Sequence, residues 1–411
     1  MNNNNKTKTP TNLKIAIVWE GFEAGGVDSY LSYLLNAWPC DDCFHIFYNL
    51  ENRGITRLKK MITNKFVNFV PVKTVFKHYD GRTQMSLTLK YLRHLMTPFL
   101  YLINVFLYQR KLREFEFDIL LAQNGGYPGS YGVLSACIGA SFARIKTTCL
   151  VVHHAANPPI FGHYLFRLVI EKILSRKLSS IIAISQATKE TILKNTKFSF
   201  EKNELTVIEN GVPKVDKKKF FPSNQKTFKI GIIGRLDLHK GHDDFLRALS
   251  LLSSKHLRSI SVEFIGGYKD EDYKRIVSYL DLFGLKDVVE IRGYVDLPIS
   301  EIIFNLDLVA MVTKDFEGFG LTIVEALNLG VPVLATRVGI VPDLFSNESV
   351  MTIEPSDYQS MSKAIIKFIE TKDKSTFITK EVRSQLKKYD AKYASRRYRE
   401  HLFNNYYSGK N

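Results

Sequence analysis

From Leu13 onward the chain alternates short apolar runs with longer stretches of helical periodicity. The first run, Ile15–Trp19, stops at Gly21, and Gly25 and Gly26 then lead into the helical pattern Tyr30–Leu35. A strand, a glycine turn and a helix in that order open a doubly wound sheet. Ile119–Ala122, Cys149–Val152, Ile181–Ile184 and Leu205–Ile208 are further runs of this kind, and near-continuous apolar runs are what strands covered on both faces look like. Asn210, Gly211, Pro213, Lys217–Lys219 and Pro222–Ser223 then form a polar, turn-rich stretch suited to a linker. A second series begins at Phe228. Its predicted strands are Lys229–Ile233, Ser261–Ile265, Val288–Arg292, Leu306–Val312 and Pro332–Thr336, with helices over Asp243–Leu252, Asp272–Leu280 and Leu321–Leu329. No solenoid period is present. The expected architecture is α/β, with two Rossmann-like domains facing a central cleft. Its boundaries are a disordered tail at 1–12, a first domain at 13–215, a second at 216–386 and a terminal helix at 387–411.

One segment breaks the pattern. Lys90–Phe115 is strongly apolar, with Pro98 inside it and Arg110, Lys111 and Arg113 at its end. Its uncharged part, about 16 residues, falls short of the roughly 20 needed to cross a bilayer. Two readings stay open: a core helix, and a membrane-surface helix or acceptor groove.

Composition narrows the class. A chain of 411 residues exceeds one ordinary core, and 45% hydrophobic with 24% charged residues excludes wholesale disorder. The opening Met1–Asn12 lacks the apolar core of a secretory signal, so nothing marks the chain for export. Cys40 and Cys43 form a C-x-x-C with no second pair at metal-ligand spacing. Such sparse cysteine use fits a reducing, cytoplasmic setting. The net charge of +16 is concentrated: residues 53–113 hold 13 basic residues and one acid, Asp80. A positive field of that density points to nucleic acid, anionic lipid or phosphorylated substrates.

The second half carries the sharper chemistry. Strand Lys229–Ile233 runs into Gly234 and Arg235, with Lys240 and Gly241 in the loop before the next helix. Gly234 lets backbone approach a ligand, and two cations five residues apart can converge on a phosphate group. Further on, Glu317, Gly318, Phe319, Gly320, Leu321 and Thr322 lead into a helix bearing Glu325. Free backbone N–H groups over Gly318–Thr322 at that helix start suit anionic oxygens, and carboxylates accept hydrogen bonds from vicinal hydroxyls. Phosphate donors beside hydroxyl acceptors describe a site for a nucleoside-diphosphate sugar.

In these elements the chain resembles the retaining family-4 glycosyltransferases of GT-B architecture, from about Leu13 to the C-terminus. The specific parts are E-x7-E at Glu317 and Glu325 and the Gly-Arg…Lys-Gly element at Gly234–Gly241. Gly25–Gly26, His153/His154, Ile184-Ser185 and Val207–Val212 support them. The resemblance implies that Arg235 and Lys240 hold the donor diphosphate, that Glu325 binds ribose hydroxyls and that Glu317 contacts the donor sugar. Backbone at Phe319, Gly320 and Leu321 would reach the sugar and distal phosphate, and backbone near Gly293, Tyr294 and Val295 the base. A histidine at a strand end fits sugar or acceptor contact, and His153 is preferred over His154. Retention without an obvious enzymic nucleophile leaves no covalent residue to assign. The loops Gly25–Asp28 and Val338–Asp343 depart from the family pattern, which bears on sugar positioning more than on the reaction class.

The nucleotide sugar, with a leaning toward UDP, is then a co-substrate, and no cofactor or catalytic metal is expected. Asp270-Glu271-Asp272 reads as capping charge at a helix start. The aromatic, basic stretch Lys387–Tyr407 is expected to return to the first domain. A glycan or lipid-linked acceptor of the cell envelope is expected, with residues 53–113 near an anionic membrane surface and the protein peripheral on its inner face. A nucleic-acid-binding protein is a weaker reading, since no reader motif is present. A dinucleotide-dependent oxidoreductase is opposed by the missing G-x-G-x-x-G.

Overall fold

A computed structural model of the chain describes residues 12–22, 25–75, 87–159, 164–200, 204–215, 227–344, 350–371 and 379–408, with side chains left out over 87–94. The expected tail up to Thr11 lies outside the described residues. So do residues 216–226 of the expected linker, and Lys77, Asp80 and Arg82 of the basic segment. The chain divides into two compact units. One comprises residues up to Ala183, Lys189–Ile208 and the chain from Ser395 onward; the other comprises Ile184–Thr188 and Glu209–Ala394.

The first unit is built on seven parallel strands: β1 (Lys14–Trp19), β2 (Cys43–Asn49), β3 (Val67–Val72), β4 (Ile119–Asn124), β5 (Thr147–Val152), β6 (Ser180–Ala183) and β7 (Glu204–Val207). Their order is β3-β2-β1-β4-β5-β6-β7. β1, β4 and β5 are buried almost throughout, which is why their sequences are continuous apolar runs. Helix Tyr131–Phe142 is buried from Gly132 to Ala140. At Gly139 a Cβ would meet Val105 O of helix Leu87–Arg113 at 2.8 Å, so only glycine admits this crossing. Helix Leu87–Arg113 buries Tyr101, Val105, Tyr108 and Leu112 on one face and exposes Leu95, Phe99, Leu102 and Phe106 on another. It is therefore a core helix with an uncovered apolar row. Among the described residues no helix is long and apolar enough to cross a membrane.

The last helix, Ala391–Ser408, is tied to this unit from Ser395 on. Ser395 Oγ donates to Leu34 O at 2.8 Å, Arg397 to Val207 O at 2.7 Å and Tyr406 Oη to Asp118 Oδ1 at 2.7 Å.

The second unit has six parallel strands: β8 (Phe228–Ile233), β9 (Ile260–Ile265), β10 (Val289–Gly293), β11 (Leu308–Met311), β12 (Val333–Thr336) and β13 (Val350–Ile353). Their order is β10-β9-β8-β11-β12-β13. The strand expected over Leu306–Val312 is shorter than its apolar run. Leu306 N still bonds Ile303 O at 3.0 Å, finishing helix Ile299–Phe304, and Asp307 N caps Lys229 O at 2.8 Å. Leu306 fills the space a Cβ on Gly231 would need, its Cδ1 only 2.3 Å from that position. In both sheets the strand order reverses at the strand that comes first in sequence, between β1 and β4 and between β8 and β11. Doubly wound sheets bind ligands at the carboxyl ends of the strands at such a point.

Candidate active site

The two motifs of the second unit follow the two strands at its switch point. After β8 the chain passes Gly234, whose N–H bonds Ile265 O at 2.9 Å. A Cβ at Gly234 would meet only Lys240 Cδ, at 4.0 Å, so the fold itself does not demand glycine there. A short turn over Leu238–Lys240 ends at Gly241, with φ +75°. A Cβ on Gly241 would lie 1.9 Å from Val312 O, so this glycine is required twice over. After β11, Lys314 N donates to His239 O at 2.7 Å, which pins one loop to the other.

Across these loops Lys240 Nζ donates to Glu317 Oε2 at 3.1 Å, joining residues 77 apart in sequence. Glu317 Oε1 accepts the Gly320 N–H at 3.1 Å, and Glu317 O accepts from Ile340 N at 3.1 Å. Beneath it Gly339 has φ +55°, and a Cβ there would lie 2.1 Å from Glu317 O. The carboxylate is thus held by Lys240 and the Gly320 N–H, and the backbone that carries it is held by Ile340 N. This corrects one expectation: the Gly320 N–H is occupied by Glu317, so the N–H groups of helix Leu321–Leu329 open to an anion begin at Leu321 and Thr322. Gly320 enters that helix with φ +74°. Gly318 and Phe319 are buried, and the Phe319 ring meets Tyr389 edge-on at 5.6 Å. Glu325 is buried within the helix.

Arg235 lies on its own loop, Nη2 2.9 Å from Asp237 Oδ2, and is half-exposed. Gly293, at φ +66°, ends β10 and accepts Gly266 N–H at 2.8 Å, while Tyr294 is half-exposed. Asp270, Glu271 and Asp272 occupy the first turn of helix Asp270–Phe283. Among the described residues no group of three His, Cys, Asp or Glu is arranged to hold a metal.

Three residues of this region escaped the sequence reading. Tyr268 lies against Gly293, its Cε1 3.3 Å from a Cβ there, and stacks on Tyr273 at 5.0 Å; its signal was an aromatic just past Gly266–Gly267. Lys314 Nζ is 2.7 Å from Asp243 and 3.1 Å from Asp244. Burial works to lower its pKa, but the hydrogen bonds to both aspartates outweigh this and hold it above the ordinary lysine value. His242, next to Lys240, is buried, and burial pushes its pKa down to about 3.

In the first unit, Gly25 and Gly26 are exposed at the start of helix Gly26–Asn36. Gly25 N donates to Asp28 Oδ2 at 2.9 Å. Burial raises Asp28 to about 7, against the Gly25 hydrogen bond and the charge of Arg57, whose Nη1 is 3.9 Å away. His153, just past β5, is buried, while His154 is exposed. His153 Nε2 is 2.7 Å from Gln123 Oε1, and its ring meets Tyr30 edge-on at 4.7 Å. Burial lowers its pKa to about 3, so the imidazole is neutral at physiological pH. It can exchange hydrogen bonds with a hydroxyl but not carry charge there.

Comparison with known proteins places this geometry. Residues 214–392 match the family model described as Glycosyl transferases group 1, and residues 74–214 match Glycosyltransferase Family 4. The capsular polysaccharide biosynthesis glycosyltransferase CapM of Staphylococcus aureus is 29% identical over 262 residues, covering 60% of this chain and 66% of that protein. The poly(glycerol-phosphate) alpha-glucosyltransferase of Bacillus subtilis is 30% identical over 151 residues, covering 36% and 21% respectively. The chain thus spans less than two thirds of the length of these curated relatives. The fold resembles Anabaena Alr3699/HepE, solved in complex with UDP and glucose, with TM-score 0.73, 19% identity and coverage of 95% of this chain and 99% of that one. With both family models met in succession along the chain and the fold matching throughout, the protein belongs to the group 1 glycosyltransferases of GT-B architecture.

Proposed function

We propose that this glycosyltransferase moves a hexose or N-acetylhexosamine from a nucleoside-diphosphate sugar, UDP by preference, to a cell-envelope glycan or lipid-linked acceptor, with retention of anomeric configuration. The observation that carries this reading is the Lys240–Glu317 contact at 3.1 Å, beside the open start of the helix that bears Glu325. Breaking the glycosyl–phosphate bond builds negative charge on the departing diphosphate. Cations already in place stabilise that charge most in the transition state. Arg235 and Lys240 take this part, with no metal and no cofactor required. The first-turn N–H groups of Leu321 and Thr322 supply a helix N-terminus to the distal phosphate, with Phe319 and Gly320 backbone beside it. Glu325 accepts from ribose hydroxyls, Glu317 from the donor sugar, and backbone at Gly293 and Tyr294 meets the base.

Lys240 holds Glu317 before the donor arrives, so donor binding exchanges an internal ion pair for contacts with phosphate and hydroxyl. His153, neutral, offers a hydrogen bond to a sugar hydroxyl. Gly25 and Gly26 present backbone to the donor. UDP in the HepE complex and the capsular relative support the choice of nucleotide and acceptor class. The acceptor reading places the protein at the inner face of an anionic membrane. The test is UDP release from UDP-glucose, UDP-galactose and UDP-N-acetylglucosamine, followed by proton NMR of the sugar transferred. Retention predicts product with the donor's anomeric configuration; inverted product, or no turnover with any nucleotide sugar, contradicts the reading.

A further inference from the structure

Among the described residues, nothing of the first unit covers one of its outer surfaces. Helices Leu87–Arg113 and Tyr164–Lys177 pack on the buried helix Tyr131–Phe142, and Tyr101 meets Phe166 edge-on at 5.6 Å, joining the two. On the first helix Leu95, Phe99, Leu102 and Phe106 are 59%, 58%, 56% and 65% exposed. Their spacings of four, three and four make one row along an α-helix. On the second, Leu165 and Val169 are 75% and 56% exposed and fall in the same kind of row.

Each row then turns cationic. Arg110 and Arg113 follow the first, Lys172 and Arg176 the second, all exposed. Residues 95–113 contain no acid, and the one acid of residues 164–177, Glu171, is buried in an ion pair with Arg167 at 2.7 Å. Six large apolar side chains on neighbouring helices, with no exposed negative charge among them, mark an interaction surface.

We propose that this two-helix face docks on an anionic lipid leaflet, the apolar rows entering the headgroup boundary and the four cations pairing with lipid phosphates. The proposal deepens the acceptor reading above and rests on it for the choice of partner. The charge pattern favours lipid over the other occupants. A second copy would bring two cationic faces together, and a nucleic acid would engage the cations while leaving the apolar rows in water.

The location also differs from the one expected of the basic segment as a whole. The order β3-β2-β1-β4 and right-handed crossovers put helix Ile55–Met61, with Arg57, Lys59 and Lys60, on the opposite face of the sheet from Leu87–Arg113. Residues 164–177, outside the basic segment, join the docking face instead.

Flotation of the full chain with phosphatidylglycerol vesicles and with neutral phosphatidylcholine vesicles, at low and high salt, tests this. Binding is expected on the anionic vesicles only. It should weaken at least tenfold in Phe99→Gln/Phe106→Gln and in Lys172→Gln/Arg176→Gln, and stay unchanged in Lys59→Gln/Lys60→Gln. All these positions are exposed or half-exposed, and an unchanged melting temperature verifies folding. Phe106→Trp keeps the row apolar and should be quenched by brominated lipid. No binding to anionic vesicles overturns the proposal. So does binding lost only in the Lys59/Lys60 variant, or a dimer in sedimentation velocity that Phe99→Gln/Phe106→Gln dissociates. A UDP-induced rise in melting temperature, measured without vesicles, reports the donor reading separately, so failure of one is not failure of the other.

Discussion

Each unit sets a glutamate across the switch point of its sheet, and the two are held by opposite means. In the second unit Glu317, after β11, meets the ammonium of Lys240, after β8, and keeps some contact with solvent. In the first, Glu20 directly after β1 accepts from Ser130 Oγ, past β4, and from Tyr108 Oη at 2.9 Å. Its named partners are neutral, and burial raises its pKa despite them. Gly132 backs against it, where a Cβ would come within 1.9 Å of Oε2. A buried carboxylate without a cation is driven toward its neutral form, whereas a paired and partly wet one stays ionised. Glu20 is thus a structural clasp, and Glu317 a charged group that can change partner when a ligand arrives.

That contrast is broken most directly by mutation. Lys240→Ala and Arg235→Ala should each lower turnover by about 10²-fold or more, the cost of one preorganised charge stabiliser. Glu20→Gln should leave turnover within severalfold and change stability by about 1 kcal/mol, the scale of one altered hydrogen bond. Equal losses of turnover in all three, by UDP-release kinetics, would erase the distinction.

The seat of Glu317 comes next. Gly339→Ala places a methyl 2.1 Å from Glu317 O at φ +55°, so the loop must shift. A misplacement of that size is expected to lower kcat by about 10-fold or more, with folding checked by melting temperature.

These expectations also show what could be read from one dimension. Gly234–Gly241 and Glu317–Glu325 were legible because each is local: a strand, a glycine turn and a helix start in one stretch. The contact between them was not, since Lys240 meets Glu317 only through the adjacency of β8 and β11, and neither was the role of Gly339, which depends on Glu317 packing over it. In the fold, β4 and β5 announced themselves as unbroken apolar runs. β2 and β3 did not. His45 and Asn49 interrupt β2, and β3 is an edge strand with half-exposed residues and Pro71, a place where proline is tolerated. The helix at 87–113 was legible as apolar, but its division into a buried and an exposed face required knowing what packs on it.

The smallest effects come from buried titratable groups. Asp28 titrates near 7 when folded, against 3.8 ordinarily. Between about pH 4 and 7 the folded state therefore holds a proton that the unfolded chain has lost, and Asp28 costs stability as pH rises. Asp28→Asn should raise stability at pH 8 by about 1–3 kcal/mol, an effect that fades toward pH 4. His153 and His242, held neutral down to about pH 3, act in the other direction. The unfolded chain takes up their protons below about pH 6.5, so they lower stability as pH falls from there. Denaturant melts of Asp28→Asn and the natural chain across pH 4–8 separate the two trends; an Asp28→Asn gain that grows toward pH 4 would contradict this assignment.

The central claim is that the nucleotide sugar is held by the second unit, around Lys240, Glu317 and Glu325. A thermal-shift titration with UDP and UDP-sugars tests it most directly, since a ligand of the folded state stabilises by the logarithm of its concentration over Kd. The natural chain and Glu20→Gln should shift alike with concentration, and Glu325→Ala should require at least about 10-fold more ligand for the same shift, the loss of about 1.4 kcal/mol of binding. No shift with any nucleotide sugar, or a Glu325→Ala curve overlying that of the natural chain, would contradict it.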